Sequence, residues 1–278
     1  VSPLFHEQID WRRPWLQPFE AAAVPILQAP DWRHALNTAA ARAGLRNHRG
    51  MPLRFVAQDD LPREIAYEAF ISTTGCVPTR DNLHDFFNAM VWLTWPNVKQ
   101  QLNALQAAEI VRSPAASRGK LRDAATIFDE NAAVLVTRDM GLADTLRAHR
   151  WRDLFVANRG AFGHDYEVRL FGHALMEKLV TPYKSITAHA WIVAVDDGYF
   201  SLPAADRATL IDTCVSAQLT LGLRTADFTP LPVLGVPGWW AQDEAFYADA
   251  SVFRPKRDVM PEERERRVSE KEAPEGAS

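Results

Sequence analysis

The chain has 278 residues, of which 47% are apolar and 24% charged, with a formal net charge of -4. That balance describes an ordinary globular protein and gives no electrostatic ground for binding nucleic acid or an anionic membrane surface. No apolar run reaches the length of a membrane span, and the first residues lack the basic-then-apolar layout of a secretory signal, so the expected location is the cytoplasm. Cys76 and Cys214 have no CxxC partner and sit in apolar context. They are expected to be buried free thiols rather than a disulfide or a zinc site.

Pro3, Pro14, Pro18 and Pro25 punctuate the first twenty-five residues, which predicts an extended segment wrapped over the body. An alanine-rich helix follows over 31–46, with Asp31 as N-cap and Gly44 near its end. A short strand is expected at 53–57, a helix at 62–72 and a turn at 73–78. Thr79 and Asp81 then suit the start of a helix that Pro96 ends or kinks. Residues 98–112 and 121–128 read as helices on either side of a Ser/Pro/Gly loop. Asp129, Glu130 and Asn131 interrupt before the β-branched run 132–136, which suits a strand.

A short helix is expected at 140–149 and another over VRLFGHALMEKLV, which Pro182 stops. The run 186–195 fits a strand or a buried helix; periodicity does not separate the two. Residues 203–221 form an amphipathic pattern, and 229–240 carry too many prolines and glycines for a regular element. From Arg254 the chain holds seven basic and seven acidic residues and little to bury, which predicts a disordered tail or a frayed helix.

The most informative stretch is TRDNLHDFFNAMVWLTW. Asp81, His84, Asp85 and Asn88 fall at helical spacing on one face of an otherwise apolar helix. Buried polar groups of this kind must be paired or placed in a site, because leaving them unpaired costs several kcal/mol. Further hydrogen-bonding groups lie in apolar context elsewhere. Asp129 and Glu130 precede a strand, and Lys184 and His189 flank the next element. His173 and Glu177 are four residues apart, a helical spacing able to put two ligands on one metal ion. Such a pair is also a common surface or capping interaction. His84 and Asp85 form the two-letter doublet of HD-type phosphohydrolases, but the rest of that pattern does not align. There is no GxGxxG after a strand, no Walker loop, no GxSxG elbow and no HExxH. A nucleophilic Cys76 working with His84 is a third scheme, set against the commoner structural cysteine.

The runs PTRDNLHDFFNAMVWLTWP, RDAATIFDENAA, LFGHALMEKLVTPYKSITAHAW and LPVLGVPGWW, with the later FYADASVFRP, resemble a bacterial, mostly proteobacterial family known only as a domain of unknown function. The resemblance extends from about Pro14 to Pro255. It implies a cytoplasmic protein and brings no activity, cofactor or catalytic residue with it.

The expected fold is therefore α+β and predominantly helical. It is a single domain over residues 1–253 with a few short strands and extended termini, followed by the charged tail. The expected function is a hydrolase acting on a small or phosphorylated substrate by metal-dependent or general acid/base chemistry. His84, Asp85, Asp129, Glu130 and Lys184 are its candidate catalytic residues, with Lys178 as an alternative to Lys184 for stabilising negative charge. His173 and Glu177 are the candidate ligands of a divalent metal. The rival is a non-catalytic binding or scaffold protein in which the polar groups form a closed, satisfied network that fixes helix register. A site requires the side chains to converge on an open cleft; a network requires each to be bonded.

Overall fold

The computed structural model describes residues 5–112 and 119–256. Its centre is a four-stranded sheet in the order β4-β3-β5-β6, formed by β3 (Ala132–Thr137), β4 (Tyr166–Leu170), β5 (Thr187–Ala194) and β6 (Thr229–Pro232). All six residues of β3 are buried, as suits a β-branched run with partners on both sides. β4 pairs with it antiparallel, and β5 pairs with it parallel in the register Ala132↔His189 to Thr137↔Ala194. A smaller parallel pair joins β1 (Arg54–Ala57) to β2 (Cys76–Thr79) through the crossover helix α3 (Tyr67–Thr74). Gly75 ends α3 in the left-handed region, at φ 74°, where an added Cβ would lie 2.6 Å from the Pro52 carbonyl oxygen.

Around these sheets lie α1 (Gln17–Leu27), α2 (Trp32–Arg42), α4 (Leu83–Thr94), α5 (Pro96–Arg112), α6 (Lys120–Asn131), α7 (Met140–Arg147), α8 (His173–Lys178), α9 (Ala204–Gln218) and α10 (Glu244–Ala248). The fold is mostly helical α+β, as expected. Aromatic side chains from helices and sheet, among them Trp15, Phe55, Phe87, Trp92, Phe128 and Phe171, belong to one contiguous buried core. Among the described residues no helix is long and apolar enough to cross a membrane. Both cysteines are free and half-buried rather than fully enclosed.

Several local expectations are corrected. The segment before residue 25 is not extended throughout: α1 begins at Gln17, with Pro18 in its first turn, where a missing backbone donor costs nothing. The turn at 73–78 holds the last two residues of α3 and three of the four residues of β2. Asp129, Glu130 and Asn131 do not break α6; they form its last turn, and β3 starts at the next residue. VRLFGHALMEKLV is two elements. The alternation of buried Tyr166, Val168 and Leu170 with half-buried Glu167 and Arg169 makes β4, and α8 begins at His173. Residues 229–232 form the edge strand β6, a position that tolerates Pro230 and Pro232 because an edge strand has one unpaired side. The ambiguous run 186–195 is strand β5. Of the charged tail, all beyond residue 256 lies outside the described residues.

Candidate functional site

The polar stripe is built by the way α4 starts. Asn82, not Thr79, is its N-cap and accepts from the Asp85 amide at 2.8 Å. Asp81 therefore lies before the helix, where it binds the Arg33 guanidinium at 2.8 Å and the Trp32 indole at 3.1 Å. Thr79 ends β2, and its hydroxyl donates to the Val77 carbonyl. His84, Asp85 and Asn88 remain on the helix and line a cleft of about 420 Å³. Its other walls come from α3 (Tyr67, Glu68), the segment after β2 (Arg80), α5 (Gln106), α6 (Arg122, Asp129, Glu130) and the first residue of α8, His173.

One glycine makes that convergence feasible. A Cβ on Gly172 would lie 2.5 Å from the Glu130 carbonyl oxygen and 2.6 Å from the amide nitrogens of Asn131 and Ala132. Only a residue without a side chain lets α8 start against the end of α6, with the Gly172 amide bonded to the Ala132 carbonyl at 2.8 Å. His173 thereby comes to face Asp129.

At one end of the stripe stand two imidazoles. Glu177 Oε2 accepts from His84 Nδ1 at 3.0 Å, and His84 Nε2 lies 3.1 Å from His173 Nε2, the rings meeting edge to face at 80°. The His84 side chain is 34% exposed and that of His173 only 7%. Burial pushes the His173 ring down to about 4; the Lys99 and His84 charges add to this and Asp129 opposes it. His173 is thus neutral at pH 7. Its Nδ1 is buried, lies 3.9 Å from Asp129 Oδ2 and has no hydrogen-bond partner among the described residues.

At the other end the polar groups are paired with one another. Lys99 Nζ, 5% exposed, donates to both oxygens of Asp129 at 2.6 and 2.9 Å and to Asn88 Oδ1 at 2.8 Å. It also packs 5.3 Å from the centre of a Trp92 ring. Asn88 Nδ2 in turn donates to the Tyr67 hydroxyl at 3.0 Å. Burial works against the charge on Asp129, yet Lys99 and then His173 hold its carboxyl below the ordinary range. Burial lifts the Tyr67 hydroxyl well above its ordinary value, and nearby Glu68 and Asp129 add to this.

The expected site residues divide accordingly. His84, Asp85, Asp129, Glu130 and His173 share the cleft. Asp85 is fully engaged, accepting from the Arg80 amide at 2.7 Å and from its guanidinium at 2.9 and 3.0 Å; it fixes the chain entering α4. His173 and Glu177 do lie on one face of α8, but they bracket the His84 ring, one on each nitrogen. Among the described residues no group of three or more His, Cys, Asp or Glu side chains is arranged to hold a metal ion. Lys184 is not brought to the cleft: it binds Asp249 at 2.8 Å and sits over Phe246. Lys178 binds Asn131 at 3.1 Å, also outside the cleft lining. Cys76 starts β2, and the rest of that strand and a bend separate it from α4, so it does not stand at that helix N-terminus and is not among the residues lining the cleft. Lys99, Glu68, Arg80 and Arg122 were not singled out from the sequence. Lys99 sits on α5 eleven residues after Asn88, at the same helical phase as buried Leu102 and Gln106, and that was the available signal.

A protein-family model described as "Protein of unknown function (DUF3025)" matches residues 53–257, about three quarters of the chain. The chain belongs to that family. The match takes in α3 to α8 and hence every residue placed in the cleft above. Neither a curated protein nor a solved structure matches the chain.

Proposed function

We propose that the cleft is the active site of a hydrolase acting on a small polar substrate by general acid/base chemistry, with His84 as the base. The observation that carries this reading is the chain Glu177···His84···His173, two short contacts that leave the central imidazole partly open at a cleft. A carboxylate can only accept a hydrogen bond, so Glu177 fixes the proton of neutral His84 on Nδ1 and leaves Nε2 as the basic atom. His173, whose ring burial pushes well below the ordinary imidazole value, shares that Nε2 through its own N–H. A water bound with substrate takes that place at Nε2 and loses its proton to it, and the imidazolium formed is held by Glu177. Arg122 supplies positive charge at the wall for an anionic substrate such as a phosphorylated one, while the Arg80 guanidinium is paired with Asp85. Glu130 contributes a carboxylate to the lining.

The scaffold reading accounts for Asp85, Asn88, Lys99 and Asp129, each of which is bonded. It does not account for the exposed edge of His84 or the bare Nδ1 of His173. The test is hydrolysis of a panel of small phosphate and carboxylate esters by the wild type and by His84→Gln. The wild type is expected to turn over at least one class, and the variant to lose 100-fold or more, about the range general base catalysis supplies. Equal rates for the two proteins across the panel would overturn the proposal.

A further inference from the structure

The cleft holds a second ionisable group that this mechanism does not use. Glu68, the second residue of α3, lines the cleft and is clamped from α5: Asn103 Nδ2 donates to its Oε2 at 2.6 Å and to its own backbone carbonyl at 2.9 Å. Asn103 is almost wholly buried, so this anchor is rigid. The hydrogen bond to Asn103 engages Oε2, and the residue lines the cleft. We propose that Glu68 is the proton donor to the leaving group, delivering a proton from Oε1 while His84 takes one from water. The inference rests on the acid/base reading of the cleft and deepens it.

The surroundings favour the neutral acid. The charges facing Glu68 are Lys99 from α5 and Arg122 and Asp129 from α6, with Tyr67 beside it on α3. Burial raises the Glu68 carboxyl above its ordinary value, and Asp129 adds to the rise; Lys99, the Asn103 hydrogen bond and Arg122 oppose it. Lys99 is already bonded to both oxygens of Asp129, which blunts its pull on Glu68. Two carboxyl groups in one cleft are thus driven apart, Asp129 toward its charged form and Glu68 toward its neutral one, the pattern that separates acid from base roles. In the step itself the water oxygen bonds to the carbonyl carbon or phosphorus as its proton passes to His84 Nε2. The bond to the leaving oxygen breaks, its electron pair stays on that oxygen, and the oxygen takes the Glu68 proton. The imidazolium then gives its proton to solvent and Glu68 regains one, so one water is consumed and both groups are restored.

The experiment compares an alkyl ester with a nitrophenyl ester of the same acid, because an alkoxide needs a proton to leave and nitrophenolate does not. Glu68→Gln is expected to lose at least 100-fold on the alkyl ester and less than about threefold on the nitrophenyl ester, and to lack the alkaline limb of the wild-type pH profile. His84→Gln should lose both activities. Equal loss of the two activities in Glu68→Gln, or no loss, overturns the role of Glu68 and leaves His84 standing; hydrolysis of neither ester by the wild type removes both. Carboxyl NMR titration of the wild type decides the matter if the variant does not fold. A Glu68 resonance titrating above the ordinary glutamate range supports the proposal, and one within that range overturns it.

Discussion

His84 and Asn88 stand one turn apart on the same helix face, yet they live in different surroundings. Asn88 meets Lys99, which is held also by Asp129 and sealed beneath Trp92. His84 meets one exposed carboxylate and one buried imidazole, and a third of its own side chain touches solvent. The first arrangement is what a buried charge requires to exist at all. The second leaves the His84 ring partly open at the cleft, where a small molecule can reach it. One polar stripe thus serves two purposes, and the boundary between them is a single helical turn.

The sharpest way to break this comparison is to remove the cation at the paired end. Lys99→Met leaves the Asp129 charge and the Asn88 carbonyl buried without a partner, and should cost about 3–5 kcal/mol in urea unfolding. A loss below about 1 kcal/mol would show that the network does not hold the fold.

A smaller effect follows from pH. The His173 ring falls from an ordinary 6.5 in the unfolded chain to about 4 in the folded one. Between those values the unfolded chain binds the extra proton, so stability is complete above the upper value and is lost as pH falls toward the lower one. Between pH 7 and pH 4.5 the wild type should lose about 2 kcal/mol more than His173→Gln. Parallel pH dependence in the two proteins would contradict the burial argument. Smaller still is the effect at the open end. Glu177→Gln keeps a hydrogen-bonding shape but not the charge, and should slow hydrolysis about tenfold, near 1.4 kcal/mol, with little change in stability. An unaltered rate would remove Glu177 from the orienting role.

Much of the architecture was legible because its signals are local. The buried run of β3 and the helix of α5 follow from β-branching and periodicity, whereas the helix expected at 62–72 forms only from Tyr67 and runs to Thr74 before Gly75 closes it. Edge strand β6 was not legible, since its prolines speak against a strand until the unpaired side is known. The join of β4 to α8 was hidden because Leu170, Phe171, Ala174 and Leu175 keep helical spacing across Gly172 and His173. In the site, His84, His173 and Glu177 were chosen by helical facing, and they do meet. What they meet was not foreseeable: spacing on α8 suggests a shared ligand, whereas the geometry places another imidazole between the two side chains. Lys99 and Glu68 escaped notice because each sits in an ordinary amphipathic pattern, and only the approach of α5 to α6 and α3 gives them partners. Lys184 shows the converse, a cation chosen for its apolar neighbours that pairs with half-buried Asp249 away from the cleft.

The central claim is that the open end of the stripe is kept for chemistry and not for stability. His84→Gln measured both ways tests it most directly. The account predicts an unfolding free energy within about 1 kcal/mol of wild type together with loss of ester hydrolysis by 100-fold or more. Destabilisation as large as that of Lys99→Met, with hydrolysis unchanged, would contradict it.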